Sequence, residues 1–174
     1  MYQGLCSWKE QVFYISNEES VMLNVLVVSE QNFGKNLIAS SYLKDLGGDH
    51  FNVECAGFEA GPLRPVVNIV MKLDGYDLAN CGCPHSVSDL LAMGRRYDIV
   101  ITICPKRLDE KCPDFPGQLL RLNWRHSDPD KIAESRIDRL QQTRIMRDSI
   151  KADVIKFIND YEKGELPMLK KDFG

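Results

Sequence analysis

The chain has 174 residues, enough for one domain with a sizeable core. Its 44% apolar and 27% charged composition, with no low-complexity tract, excludes a disordered or fibrous protein. A formal net charge of −3 lacks the basic signature of a nucleic-acid binder. No apolar run reaches membrane-spanning length, and the N-terminus MYQGLCSWKEQ lacks a signal-peptide segment, so the expectation is a cytoplasmic protein with no membrane partner.

Residues 1–20 have weak periodicity and read as an N-terminal extension. The run from Val21 to Val28, continuous in Val and Leu, predicts a strand buried in a parallel sheet. A polar loop follows, Ser29-Glu30-Gln31-Asn32-Phe33-Gly34-Lys35-Asn36. The apolar positions Leu37, Ile38, Tyr42, Leu43 and Leu46 then predict a helix stopped by Gly47-Gly48. Phe51 to Cys55 reads as a second strand, ended by Ala56-Gly57. A helix over Pro65 to Leu73, with proline in its first turn, and a short one over Val87 to Met93 come next.

Tyr97 to Ile103 is a third strand and Leu119 to Leu122 a weaker fourth. The last long element is a helix from about Ser135 to Tyr161, leaving 162–174 as a tail. Strands alternating with helices over 21–161 predict an α/β domain, a four-stranded parallel sheet flanked by helices in three layers. Ligands of such sheets bind beyond the carboxyl ends of the strands, where the Ser29 loop lies.

Four constellations carry chemistry. Backbone amides of the loop and the helix start behind it can cradle an anion, with Lys35 adding charge, although an ordinary strand-to-helix turn has the same outline. Cys104 and Cys112 follow the third strand with seven residues between them. A flexible connection brings two such thiols within disulfide reach, and Lys106, Arg107 and Lys111 favour a thiolate. Cys81-Gly82-Cys83-Pro84-His85 invites a zinc reading completed by Cys104 or Cys112, but the paired spacing of structural zinc sites is missing. Asp128 in an Asp-Pro turn can project a general acid into a cleft or simply start the turn. Glu54 and Glu59 read as solvated surface. With six cysteines and a reducing compartment expected, a structural disulfide framework is disfavoured, and packing, metal binding or redox chemistry remain.

In this order the features resemble the low-molecular-weight tyrosine phosphatases and, within that fold, the thioredoxin-coupled arsenate reductases. The resemblance is carried by VLVVSEQNFGKNLIASSYL, AGFEAGPLRPVVNIVMKLDGYDL, YDIVITIC with a second Cys-Pro, and NWRHSDPDK, and spans about residues 24–158. It implies the phosphatase-type three-layer sandwich and a catalytic loop of form Cys-x5-Arg, whose thiolate attacks the oxyanion while amides and arginine stabilise it. On that pattern Ser29 takes the place of the cysteine and Lys35 that of the arginine. Asn32 matches the loop asparagine, Asn36 replaces a thiolate-stabilising hydroxyl, and Asp128 matches the general acid. Glu30, Gln31, Phe33 and Gly34 complete the oxyanion-facing loop.

A serine hydroxyl needs a base where a thiol does not, and lysine lacks the planar fork of arginine. The resemblance therefore implies impaired catalysis and at most weak binding of a phosphate- or arsenate-like oxyanion. Cys104 and Cys112 match the reductases' shuttle pair, which leaves open an active thiol-dependent reductase or phosphatase served by a thioredoxin-type reductant. A redox or metal module on Cys81, Cys83, Cys104 and Cys112 is also compatible with these residues, as is a protein-binding role. No cofactor is implied.

Overall fold

The computed structural model describes residues 22–31, 34–59, 61–83 and 85–168. The predicted N-terminal extension, Asn32 and Phe33 lie outside them. Four strands, β1 (Leu23–Gln31), β2 (Phe51–Glu59), β3 (Ile99–Ile103) and β4 (Leu120–Asn123), form one sheet in the order β2-β1-β3-β4. Every pairing is parallel. Helices α1 (Lys35–Leu46), α2 (Pro65–Lys72), α3 (Val87–Ala92), α4 (Lys106–Asp109), α5 (Pro129–Ile132) and α6 (Arg136–Glu162) connect or follow the strands. None of the described helices is long and apolar enough to cross a membrane.

Strand β1 is central and buried on both faces, which is why it reads as an unbroken apolar run rather than an alternating one. Its side chains still divide by parity. Val25 and Val27 join the larger core with Ile38, Tyr42, Val70, Ile150 and Val154, contributed by α1, α2 and α6. Leu26 and Val28 face the smaller core with Leu90 of α3, Tyr97, Cys112 and Phe115. This two-sided burial produces the three-layer sandwich expected from the sequence.

The helix ends follow local chemistry. In α3, Ser86 and Asp89 form a reciprocal capping box, each side chain accepting from the other's backbone amide. Ser135 caps α6 by accepting from the Asp138 amide at 3.1 Å. Halfway along α6, Arg147 is buried because its guanidinium is paired: it donates to the Val70 carbonyl at 2.6 Å and to Asp148. Beyond α6, Leu166 is buried in the larger core.

Two boundaries differ from expectation in ways that matter. The first strand runs to Gln31 instead of ending at Val28, because Ser29 pairs on both sides, with Gly57 and with Ile103, and Gln31 pairs with Glu59. Its partner β2 continues to Glu59 for the same reason: Ala56-Gly57 lies inside the ladder and does not end it. The polar composition of these residues suggests a loop, but the ladder needs only their backbones. Glu54 is also not simply solvated, since it accepts from Tyr97 Oη at 2.6 Å and pairs with Arg95.

Candidate functional site

The strand order places β1 between β2 and β3, so the chain reverses direction across the sheet at the carboxyl end of β1, where open α/β sheets hold their ligands. A cleft lies there. Ser29 and Glu30 from β1, Gly34 and Lys35 from the start of α1, Arg64 before α2, and Asp128 and Asp130 at α5 line it together with Val66, Val67 and Ile103. Gly34 is required by close approach: a Cβ there would meet Val67 Cγ2 at 2.7 Å, so any larger residue would push α2 away from the loop.

Ser29 is 2% exposed and forms part of the cleft floor. The ammonium of Lys35 donates to the His126 carbonyl at 2.8 Å. Burial lowers its pKa, while Asp128 and Glu30 act in the opposite direction. The imidazole of His126 is turned to Asp153 of α6, at 2.8 Å. Burial depresses its pKa against the attraction of Asp153.

Arg64 bridges Asp128 at 3.2 Å and Asp130 at 2.6 Å, and Arg139 reaches Asp130 at 2.9 Å. Burial pushes the Asp128 carboxyl up, but the Asp130 amide, Arg64 and Lys35 outweigh it and leave the pKa below the usual carboxylate value. Asp128 is therefore held ionised near neutrality rather than protonated for acid catalysis. Two cations, Lys35 and Arg64, face three carboxylates, Glu30, Asp128 and Asp130. An incoming anion must compete with carboxylates that already hold the arginine. Glu30 is partly drawn aside, its carboxylate lying 3.6 Å from Arg107.

Ser29, Glu30, Gly34, Lys35 and Asp128 thus converge on one cleft, whereas other candidates among the described residues do not. Asn36 is fully buried and turned to β2: its Nδ2 donates to the Ala56 carbonyl at 3.0 Å and to Cys83 Sγ at 3.3 Å, and its Oδ1 accepts from Leu37 N. Gln31 belongs to the ladder through its backbone.

Cys104 and Cys112 are unbonded and buried on either side of α4, at 3% and 5% exposure. The thiolate expected from the surrounding basic residues does not form. Burial dominates at both sulfurs, Asp109 adds to it, and Arg121 does not offset it at Cys112, so both thiols are pushed up to about 11.

The expectation against a disulfide is also corrected: Cys55 on β2 is bonded to Cys83, with the Cα atoms 5.3 Å apart. This removes Cys83 from the zinc set imagined from Cys81, Cys83 and the later pair. Among the described residues no cluster of His, Cys, Asp and Glu could hold a metal ion.

Arg64 and Asp130 were missed in the sequence. Their signal, a charged residue immediately flanking a proline at each helix start, was present but not distinctive. The Cys55–Cys83 pairing spans 28 residues and left no spacing signal.

The fold and cleft together define a class: a parallel α/β sandwich with a small charged site beyond its central strand. No family model matches the sequence. The arsenate reductase of Bacillus subtilis is 30% identical over 119 residues, 68% of this chain and 83% of that protein. That of Shouchella clausii is 30% identical over 128 residues, covering 72% and 88%. Among solved structures, an arsenate reductase in its oxidised state superposes with a TM-score of 0.66 at 24% identity over 80% of this chain and 98% of that one. A tyrosine phosphatase of Erwinia amylovora does so with 0.62 at 19% identity, covering 79% and 92%. The chain belongs to the family of low-molecular-weight tyrosine phosphatases and thioredoxin-coupled arsenate reductases.

Proposed function

We propose that this chain is a catalytically impaired member of its family whose cleft binds phosphate- or arsenate-like oxyanions weakly at most. The observation that carries the reading is Ser29: a hydroxyl, 2% exposed and paired on both sides within β1, stands where the family motif has its nucleophilic thiol. A serine attacks only when a base takes its proton. Two candidate bases are occupied, Lys35 with the His126 carbonyl and His126 with Asp153.

Lys35 and Asp128 are the residues we assign to the remaining anion chemistry, Lys35 as a single point charge and Asp128 as the matching acid held ionised by Arg64. The backbone amides of residues 34–36, at the start of α1, are the donors we assign to an oxyanion. The competing carboxylates support weak affinity. A reductase working through Cys104 and Cys112 is less well supported, since both thiols are buried and protonated at neutral pH.

The test is turnover of an aryl phosphate, and of arsenate with a thioredoxin-type dithiol, by the purified protein. We expect less than about one hundredth of the rate of an active relative, because losing a nucleophile removes far more than two orders of magnitude. Rates above that level would defeat the proposal. If they fell in Cys104→Ala or Cys112→Ala but not in Ser29→Ala, the thiol-dependent reading would take its place.

A further inference from the structure

The Cys55–Cys83 bond joins the carboxyl half of β2 to the segment that leads into α3, and Cys83 is also the residue that Asn36 contacts. Both bonded cysteines are partly buried against the larger core, neither is fully enclosed, and a Cβ at Gly82 beside them would meet nothing within 4 Å, so the 81–83 segment is open on that side to a reagent. Asn36 sits in the first turn of α1, directly after Lys35. Its amide is held between the Ala56 carbonyl, next in chain to Cys55, and Cys83 Sγ. The disulfide and the start of the cleft-facing helix therefore share one buried side chain.

We propose that Cys55 and Cys83 form a thiol–disulfide exchange site that accepts a dithiol as co-substrate, and that its redox state is transmitted to the N-terminus of α1 through Asn36. One thiolate of the dithiol attacks a sulfur of the pair. The Cys55–Cys83 bond breaks, the other cysteine leaves as a thiolate and takes up a proton, and a mixed disulfide forms. The second thiol of the dithiol displaces the first cysteine and closes the reagent's own disulfide. Two electrons pass to the protein, and both cysteines end as thiols.

Once the bond is open, the sulfurs separate to nonbonded distance and the 81–83 segment is no longer tied to β2. Asn36 then loses a fixed acceptor, and the first turn of α1 opens more often. This coupling concerns the same helix start that the proposed oxyanion cleft uses, but it does not depend on any anion binding there.

The experiment uses the full chain carrying Cys81→Ser, so that the exposed thiol of Cys81 contributes nothing. Peptide mapping should find Cys55 linked to Cys83 in the oxidised protein. Under native conditions dithiothreitol should release both for alkylation, and glutathione disulfide should restore the link. Amide exchange at Leu37 and Ile38, which donate to Asn36 Oδ1 and the Gly34 carbonyl, should be about fivefold faster in the reduced form, the effect of weakening one hydrogen bond. Asn36→Ala should exchange fast in both states, and Cys83→Ser should match the reduced form.

A pair that resists dithiothreitol until the protein is denatured overturns the exchange site. Identical amide exchange in the two states overturns the coupling even if Cys83→Ser fails to fold. Inorganic phosphate titrated into both forms separates the two readings. If it binds neither tightly, the reading of a weak cleft stands, if it binds either tightly that reading fails, and in both cases mapping and exchange alone decide the disulfide.

Discussion

The molecule carries two cysteine pairs on opposite sides of β1, and they behave in opposite ways. Cys104 and Cys112 flank a four-residue helix among basic side chains, yet they are buried, unbonded and held as thiols. Cys55 and Cys83 are separated by 27 intervening residues, yet they are bonded and only partly buried. Burial and bonding follow from where the fold places each sulfur, and a charged stretch of sequence between two thiols sets neither. Within this family member, the pair nearest the reductase pattern is the more deeply buried one.

The largest expected effect comes from removing the bonded pair's constraint. Closing a loop of this length lowers the entropy of the unfolded chain by an amount equivalent to about 3–4 kcal/mol. Reduction, or the Cys55→Ser/Cys83→Ser double variant, should lower the free energy of unfolding in urea by up to that amount. Loss of less than about 1 kcal/mol would show that the constraint is already absent in the native protein and would erase the contrast between the pairs.

The buried pair should instead appear in alkaline pH. A folded-state pKa of about 11 against a reference of 9.0 means that folding favours the thiol form. That contribution is complete below about pH 9 and is lost as pH rises through 11, up to about 2–3 kcal/mol per thiol. Cys104→Ala and Cys112→Ala should flatten the pH dependence of stability in that window. Cys81 is exposed whereas Cys104 and Cys112 are buried with raised pKa values, so iodoacetamide at about pH 8 should label Cys81 at least about tenfold faster than either.

A smaller effect is expected at Asn36, where the bonded pair meets the cleft. Asn36→Ala removes the donor to the buried Ala56 carbonyl and should cost about 1–3 kcal/mol. Asn36→Ser, of similar polarity but shorter reach, should recover part of this in thermal unfolding. Equal losses in both variants would mean that packing, rather than the hydrogen bonds, holds the side chain.

How legible all this was depended on range. The sheet was readable because β1 and β3 are continuous apolar runs, and the helices because α1 and α6 bury residues at helical spacing. The convergence of Ser29, Lys35 and Asp128 could be anticipated only through the family pattern, since Lys35 and Asp128 are 93 residues apart in sequence. What escaped were properties that burial and partners decide. Asn36 is polar and near a loop, which suggests an anion contact, but its backbone position at the first turn of α1 turns the side chain under β2. Lys106 and Arg107 are basic, which suggests thiolate stabilisation, but their side chains are exposed while the sulfurs are buried, and burial with Asp109 decides the pKa.

The smallest expected effect tests whether the buried pair is guarded. Arg107 lies on α4, between the two thiols, and pairs with Glu30 at the rim of the cleft. The two side chains are 68% and 40% exposed, so water screens the pair and Arg107→Ala should change stability by less than about 0.5 kcal/mol. Labelling of Cys104 and Cys112 should stay within about twofold, because their protection comes from burial around the sulfurs and not from this ion pair. A tenfold or greater acceleration would mean that the Glu30–Arg107 contact holds α4 closed. An anion that repelled Glu30 and competed for Arg107 would then expose the second pair, and the division between the two pairs would become a division between two states of the cleft.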